Sequence, residues 1–314
     1  LAMGGGKGSL ENLEMNGLLE SFYRGTRVFV TGHTGFKGGW LATCLKMLGA
    51  HVSGFALEPV AGTSFYEAAG VSSGLTSTFG DICEFSALRK AVEDAQPAVV
   101  FHLAAQPLGR RSYQDPVGTY AVNVMGTVHL LEVARQVKSV TAVVIVTSDK
   151  CYENREWLWG YRENEPMGGF DPYSSSKGCA ELITAAYRRS FFDAGRGPGL
   201  ASCRAGNVIG GGDWSEDRLI PDIARAVLGG KPVVIRNPHS LRPWQHVLEP
   251  ISGYLNVARC LAGGEPQWAD AWNFGPGPDA DITVAELARQ MLHHWGRGEM
   301  RIQEDPNAPH EAVL

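Results

Sequence analysis

Six short apolar runs alternate with helical stretches across residues 27–209, and this rhythm is what most limits the fold. The runs are "RVFVTG" (27–32), "HVSGFAL" (51–57), "TSTFGDI" (76–82), "AVVFHLAA" (98–105), "TAVVIVTS" (141–148) and "ASCRAGNVI" (201–209). They are rich in β-branched and aromatic residues and show little polar alternation, so they read as strands buried on both faces. Helical patterns fall at 38–50, 87–95, 117–136 and 172–192. Together they predict an α/β fold built on a doubly wound parallel sheet, with ligands at the carboxyl ends of the strands. Past about residue 210 the chain becomes turn-rich, in "GGGDW", "NPHSLRPW" and "NFGPGPDAD", with helical stretches at 219–229, 247–262 and 283–295. This part reads as a smaller C-terminal α/β lobe over the strand ends.

The first strand enters "TGHTGFKGGW", where Gly32, Gly35 and Gly38 recur every third residue before a helix. Glycines between strand and helix in a βαβ unit make a dinucleotide fingerprint. The first permits the tight turn, the second lets backbone approach a pyrophosphate, and the third lets helix and strand pack closely. Free N–H groups and the helix dipole then hold the phosphate. The reading is Rossmann-like: 21–206 forms the NAD-binding domain, 207–314 mainly the substrate lobe, and the Gly-rich residues 1–20 an appended, disordered tail. The final "EDPNAPHEAVL" reads as mid-element. The G-x-x-G-x-x-G spacing resembles that of extended short-chain dehydrogenases, and the resemblance implies that Asp81, after the third strand with Ile82 beside it, faces the adenine. Glu58, two residues past the usual acidic position, is the candidate for the ribose hydroxyls. No arginine follows the second strand to meet a 2′-phosphate, which favours NAD.

Bulk properties exclude several classes. The net charge is −5 with no basic stripe, which argues against nucleic-acid binding. No apolar run approaches the roughly 20 residues of a membrane span. The six cysteines are scattered without a C-x-x-C pair, which argues against zinc or a disulfide framework and fits a reducing cytoplasm.

Tyr173 and Lys177 form Y-x-x-x-K, a spacing that puts both on one helix face. An ammonium beside a phenol favours the phenolate and lowers its pKa. A phenolate can take a hydroxyl proton while hydride leaves the same carbon. Ser148 ends the fifth strand, where it can hydrogen-bond that hydroxyl, and Asp149 and Lys150 follow it. A simple redox reaction has no use for this charged pair, whereas removal of water from a transient ketone does. An ordinary surface ion pair is the bland alternative, worth about 0–1 kcal/mol.

"TGHTGFKGGW", "SDKCYEN", "PYSSSKGCAE", "RAGNVIGGGDW" and "RPWQHV" together resemble the CDP-glucose 4,6-dehydratase family of extended short-chain dehydrogenases, over essentially residues 25–300. Related dTDP-glucose dehydratases read Thr-Asp-Glu where this chain has Ser148, Asp149 and Lys150. The resemblance implies a lyase that oxidises carbon 4 of CDP-glucose, eliminates water across carbons 5 and 6, and returns hydride to carbon 6. It implies Tyr173 as oxidation base, Asp149 as acid, and Lys150 as carbon-5 base or enolate stabiliser. It also implies cofactor contacts from His33, Phe36, Lys37, Leu103, Ala104, Ala105 and Asn123, and substrate contacts from Gln106, Arg110, Asn207, Arg236 and Arg242. His102 reads as a satisfied strand-end residue. Extended members pair through the helices at 117–136 and 172–192, so a homodimer or tetramer is implied. Leu130, Leu131, Val133, Leu182 and Ile183 supply the apolar faces, unless they only cover the sheet. A nucleotide-sugar 4-epimerase would share the triad without needing Asp149 and Lys150. A non-catalytic dinucleotide sensor would usually lose the Tyr or Lys.

Overall fold

The structure, a computed structural model, describes residues 17–60, 64–157, 159–193, 196–216, 218–277 and 281–303. Its centre is a seven-stranded sheet in which every neighbouring pair is parallel. In chain order the strands are β1 (Arg27–Thr31), β2 (His51–Ala56), β3 (Leu75–Phe79), β4 (Val99–His102), β5 (Ala142–Val146), β6 (Gly199–Ala205) and β7 (Ala271–Phe274). Across the sheet they run β7-β6-β5-β4-β1-β2-β3. The order reverses between β1 and β4, and the crevice outside that point is where such sheets bind ligands. Every residue of β4 and β5 is buried, because helices cover both faces.

The longer helices are α1 (Phe36–Met47), α2 (Phe85–Ala95), α3 (Gly126–Gln136), α4 (Pro172–Ser190), α5 (Leu219–Leu228), α6 (Leu248–Ala262) and α7 (Val284–Trp295). Leu41 and Leu45 of α1 and Tyr254 and Leu255 of α6 pack on one face with Val28 and Val30. Leu88 of α2 and Leu130, Leu131 and Val133 of α3 pack on the other with Phe29 and Val143. These three α3 residues are therefore sheet core and do not form a subunit face. A third, small core joins Ile223 and Val227 of α5, Ala288 of α7, and Val233 and Ile235. This is the second lobe. Short ladders complete it, Val233–Ile235 with Met300–Ile302 and Leu241–Pro243 with Asp281–Thr283.

Two expectations change. The chain crosses the 206/207 division, because α6 and β7 return to the large sheet, where β7 pairs with β6. The helix expected over 117–136 is broken into Pro116–Tyr120, a π-helical turn at Ala121–Met125, and α3. The expected tail overlaps the described residues only from 17, where a helix spans 17–23 and buries Leu19 and Tyr23. Residues 1–16 and "EDPNAPHEAVL" lie outside the described residues.

The glycine turn is sterically saturated. A Cβ on Gly38 would stand 2.1 Å from the Gly32 carbonyl oxygen, a contact with backbone that cannot swing away. Gly38→Ala is expected to destabilise the fold by about 1–3 kcal/mol. Urea unfolding checks this, and an unchanged midpoint would refute the close-packing role.

Candidate active site

A cavity of about 900 Å³ opens along the carboxyl ends of β1, β2, β4, β5 and β6 and beneath the second lobe. Gly32, Gly35, Phe36, Lys37 and Gly38 line its first end. Gly35 caps α1 without a side-chain hydrogen bond, and no acidic residue occupies the first turn, so the helix presents free N–H groups to an anion. Asp81, Ile82, Leu103, Ala104 and Ala105 continue the wall. The end of β2 contributes Ala56 and Leu57 and no cation. A dinucleotide fits this donor set: glycine backbone for the diphosphate, a carboxylate at one end and small side chains at the other.

The helix that carries Tyr173 and Lys177 is set by local sequence. Asp171 caps α4, its side chain accepting from the Ser174 N–H, and Pro172 takes the first helical position. Tyr173 and Lys177 then share one face, and both line the cavity with Ser148, Asp149 and Lys150. The loop carrying Asp149 and Lys150 crosses α4 at Gly178, where a Cβ would stand 2.6 Å from the Gly168 oxygen and 3.3 Å from the Cys151 oxygen. Ser148 Oγ donates to Asp149 Oδ1 at 2.8 Å and accepts from the Lys150 N–H at 3.2 Å. Ser148 stands near enough to Tyr173 to favour its phenolate.

Burial dominates the electrostatics. It pushes the Lys177 ammonium down to about 8, against the Glu181 carboxylate. Lys37 falls to about 8 through burial and then the charges of Arg218 and Lys177, with Asp149 opposing. The Tyr173 phenol is raised by burial, not lowered, although Ser148 and Arg218 pull it down. Desolvation of the phenolate outweighs the cations around it.

Most sequence-chosen residues meet in the cavity, including Arg110, Asn207, Arg236 and Arg242. Four do not. His33 turns under the sheet, where its Nε2 meets Ser77 Oγ at 2.9 Å, its ring stacks on Phe79, and burial lowers its pKa to about 4. Glu58 is exposed beyond β2, off the cavity. Gln106 uses its side chain on Leu108 and Thr119 and does not line the cavity. Asn123 sits behind the wall and binds both the N–H and the carbonyl of Gln106, which supports the cofactor loop without lining it. His102 is satisfied by Thr31 and Thr127, as expected.

Sequence reasoning missed Arg218, which lines the cavity and pairs with Asp213 at 3.2 Å. It also missed Glu181, buried one turn beyond Lys177. The i, i+4 continuation Tyr173–Lys177–Glu181 was a signal for the second.

Among proteins of known sequence, the model of the NAD dependent epimerase/dehydratase family matches residues 28–275. The chain belongs to that family. Family membership makes NAD the dinucleotide of this cavity. A CDP-glucose 4,6-dehydratase of Salmonella typhimurium is 54% identical over 297 residues, 93% of this chain and 83% of the relative. Among solved structures, Epimerase Mth375 of Methanothermobacter thermautotrophicus shares the fold at TM-score 0.82 and 21% identity, over 96% of this chain and 86% of that one. MoeE5, solved with UDP-glucose and NAD, superposes at TM-score 0.72 and 25% identity, over 88% and 85%.

Holding Lys177 charged in this epimerase/dehydratase site weakens the fold at neutral pH, since the folded pKa of about 8 lies below the ordinary 10.5. Below 8 both folded and unfolded states carry the proton, and the folded state bears the full penalty. Between 8 and 10.5 only the unfolded state keeps it, so the penalty fades as pH rises. Lys177→Met is expected to stabilise the protein at pH 7 by up to about 3 kcal/mol, from a shift of 2.5 at 1.36 kcal/mol each. The gain should shrink from pH 8 upward, and denaturant melts across pH 7–10 check it.

Proposed function

We propose that the chain is a hydro-lyase that converts CDP-D-glucose to CDP-4-keto-6-deoxy-D-glucose. The observation that carries this reading is 54% identity to a CDP-glucose 4,6-dehydratase across 93% of the chain. When bound, NAD accepts hydride from carbon 4 and later returns it to carbon 6. The glycine turn and the N-terminus of α1 hold its diphosphate, and Asp81 faces its adenosine end. Tyr173, as phenolate, takes the carbon-4 hydroxyl proton, and Lys177 keeps a positive charge beside the phenol. The new ketone acidifies the carbon-5 hydrogen, so elimination becomes feasible. Asp149 gives a proton to the carbon-6 hydroxyl as it leaves, while Lys150, unprotonated, takes the carbon-5 proton and, after exchange with solvent, gives one back to carbon 5 as hydride reaches carbon 6. Arg236 and Arg242 face the substrate diphosphate from the second lobe, with Asn207 at the end of β6 and Arg110 across the cavity.

In heavy water the protein is expected to release a sugar lighter by one water and labelled with deuterium at carbon 5. An epimerase would release an unlabelled isomer, and a sensor would release nothing. Asp149→Asn should still reduce NAD in a single turnover yet lose water at least about 100-fold more slowly. Tyr173→Phe should block reduction itself. Rapid-mixing absorbance with mass analysis reads all three, and parental product release from Asp149→Asn would remove the acid role.

The chain pairs with a second copy through the exposed apolar side chains Val117, Tyr120, Met125 and Leu182, the last 60% exposed on α4. The six free cysteines suit a reducing cytoplasm. No described helix is long and apolar enough to cross a membrane. Leu182→Asp is expected to shift the dimer to monomer at micromolar concentration without unfolding it. Sedimentation reads the change, and an unaltered mass would place the interface elsewhere.

A further inference from the structure

The glycine run in "NVIGGGDW" meets a row of aromatic side chains. A Cβ on Gly210 would stand 3.3 Å from Phe36 Cζ, and one on Gly212 would stand 2.5 Å from the Phe65 ring. Between them, the Gly211 carbonyl accepts from the Trp40 indole N–H at 3.0 Å. Trp40 stacks on Phe65, with ring centroids 4.8 Å apart and planes inclined by 19°. Phe65 in turn rests against Gly39 of α1, where a Cβ would stand 2.7 Å from it. Gly212 has φ +83°, a left-handed conformation that favours glycine. Each glycine of the run therefore has one aromatic side chain of the large lobe against it.

The two ends of this row lie at different ligands. Phe36 and Trp40 are one turn apart on α1, the helix whose uncapped N-terminus opens on the cavity. The glycine run belongs to the segment 207–216, which brings Asn207, Asp213 and Ser215 to the same cavity, and Arg218 pairs back to Asp213 at 3.2 Å. Glycine loses more backbone freedom on ordering than any other residue, so three in succession are costly to hold in one conformation. Phe36, Trp40 and Phe65 supply contacts that hold them, together with Val247 on the far side of Gly210, 2.7 Å from its Cβ position. Trp40 itself does not line the cavity.

We propose that Phe36, Trp40 and Phe65 form a clamp that couples the two ligand sites, so that NAD at the N-terminus of α1 orders the segment 207–216 and tightens the binding of the nucleotide sugar. The identity of that sugar rests on the dehydratase reading. The dinucleotide fixes the first turn of α1, where Phe36 lies. Trp40, one turn further on, then holds the Gly211 carbonyl, and the glycine run is set in place before the second ligand arrives. A nucleotide sugar that binds second meets Asn207 and Asp213 already positioned and loses less conformational freedom in ordering them. Such coupling is reciprocal, so the nucleotide sugar tightens NAD by the same factor. Trp40 is a positioning residue here, acting through Gly211.

The test compares amide hydrogen exchange in protein freed of dinucleotide with exchange after NAD is restored. In the unaltered protein, NAD alone should slow exchange across 207–216 at least about five-fold, as well as at the glycine turn 32–38. Trp40→Phe keeps a ring on Phe65 and removes the indole donor. It should retain the slowing at 32–38 and lose it across 207–216. Slowing across 207–216 that survives in Trp40→Phe comes from direct contact with the dinucleotide and overturns the clamp. An unaltered protein in which NAD leaves the segment unchanged overturns it too, without recourse to any variant. Calorimetry with CDP as the probe reads the coupling itself. NAD should tighten CDP at least about five-fold, and CDP should tighten NAD equally. Trp40→Phe should bring both ratios below about two while binding NAD alone within about two-fold of the unaltered protein. Equal CDP affinity with and without NAD overturns the inference. Turnover of CDP-glucose separates the two readings. If no dehydrated sugar appears, the dehydratase reading falls and the exchange measurement still decides the clamp. If the sugar is dehydrated while NAD leaves 207–216 unchanged, only the clamp falls.

Discussion

Glu181 lies one helical turn beyond Lys177 and is 4% exposed. It accepts hydrogen bonds from Thr147, from Ser202 at 2.7 Å and from Arg204 at 2.8 Å. One carboxylate thus ties α4 to the end of β5 and to the middle of β6. Arg204 extends the network, donating to the Tyr152 hydroxyl at 2.6 Å and to the Glu163 carbonyl at 2.9 Å. A buried ion pair of this kind adds little net stability, but removing one partner typically costs about 3–5 kcal/mol because a lone charge is left in the interior. Its value lies in placement. Thr147 immediately precedes Ser148, so the grip on Thr147 sets where the Ser148 hydroxyl enters the cavity. The same carboxylate is the principal charge that keeps Lys177 from losing its proton to burial.

A second network supports the opposite wall. Thr31 Oγ1 accepts from the N–H groups of Leu103 and Ala104, each at 3.1 Å, so its own proton goes to His102 Nδ1. Thr127 Oγ1 donates to the Asn123 carbonyl at 2.7 Å and therefore accepts from His102 Nε2. His102 is fixed as a neutral tautomer, with its pKa pushed down to about 3 by burial and Lys177. Asn123 then clamps Gln106 and reaches Ser176 on α4 at 2.8 Å. The π-helical turn at Ala121–Met125 widens the helix where Asn123 must face the loop, a use of π-turns common at functional sites.

Sheet, glycine turn and catalytic pair were legible in the sequence because each rests on local periodicity or fixed spacing. Leu41 and Leu45, three to four residues apart on α1, and the unbroken apolar run at β5 need no tertiary context to be read. The losses have a common cause. β7 carries Trp272 and Phe274 yet runs straight into "GPGP", so turn chemistry masked a strand that exists only because β6 offers it an edge. His33 is spaced like a cofactor residue, but its ring fills the space above Gly54, where a Cβ would stand 2.4 Å from it. Glu58 and Gln106 lie at plausible positions in the chain, but backbone direction and a local amide clamp turn them away. Arg218 comes from the second lobe, and no spacing relates it to Tyr173. The phenol's direction of shift was misread for the same reason, since charge neighbours are visible in a sequence and desolvation is not.

The family fold serves epimerases and dehydratases alike, so the step that separates them must reside in a few side chains rather than in the sheet. An epimerase needs one proton shuttled at one carbon. A dehydratase needs a proton removed at carbon 4 and another delivered two carbons away. Three features converge on Asp149. The Ser148 hydroxyl points at it, Lys37 holds a positive charge near it, and Gly206 leaves its outer oxygen unobstructed, since even a methyl group there would stand 3.1 Å from Oδ2. The charged pair Asp149 and Lys150 past the end of β5, which proton transfer at a single carbon does not require, is where the two chemistries can part.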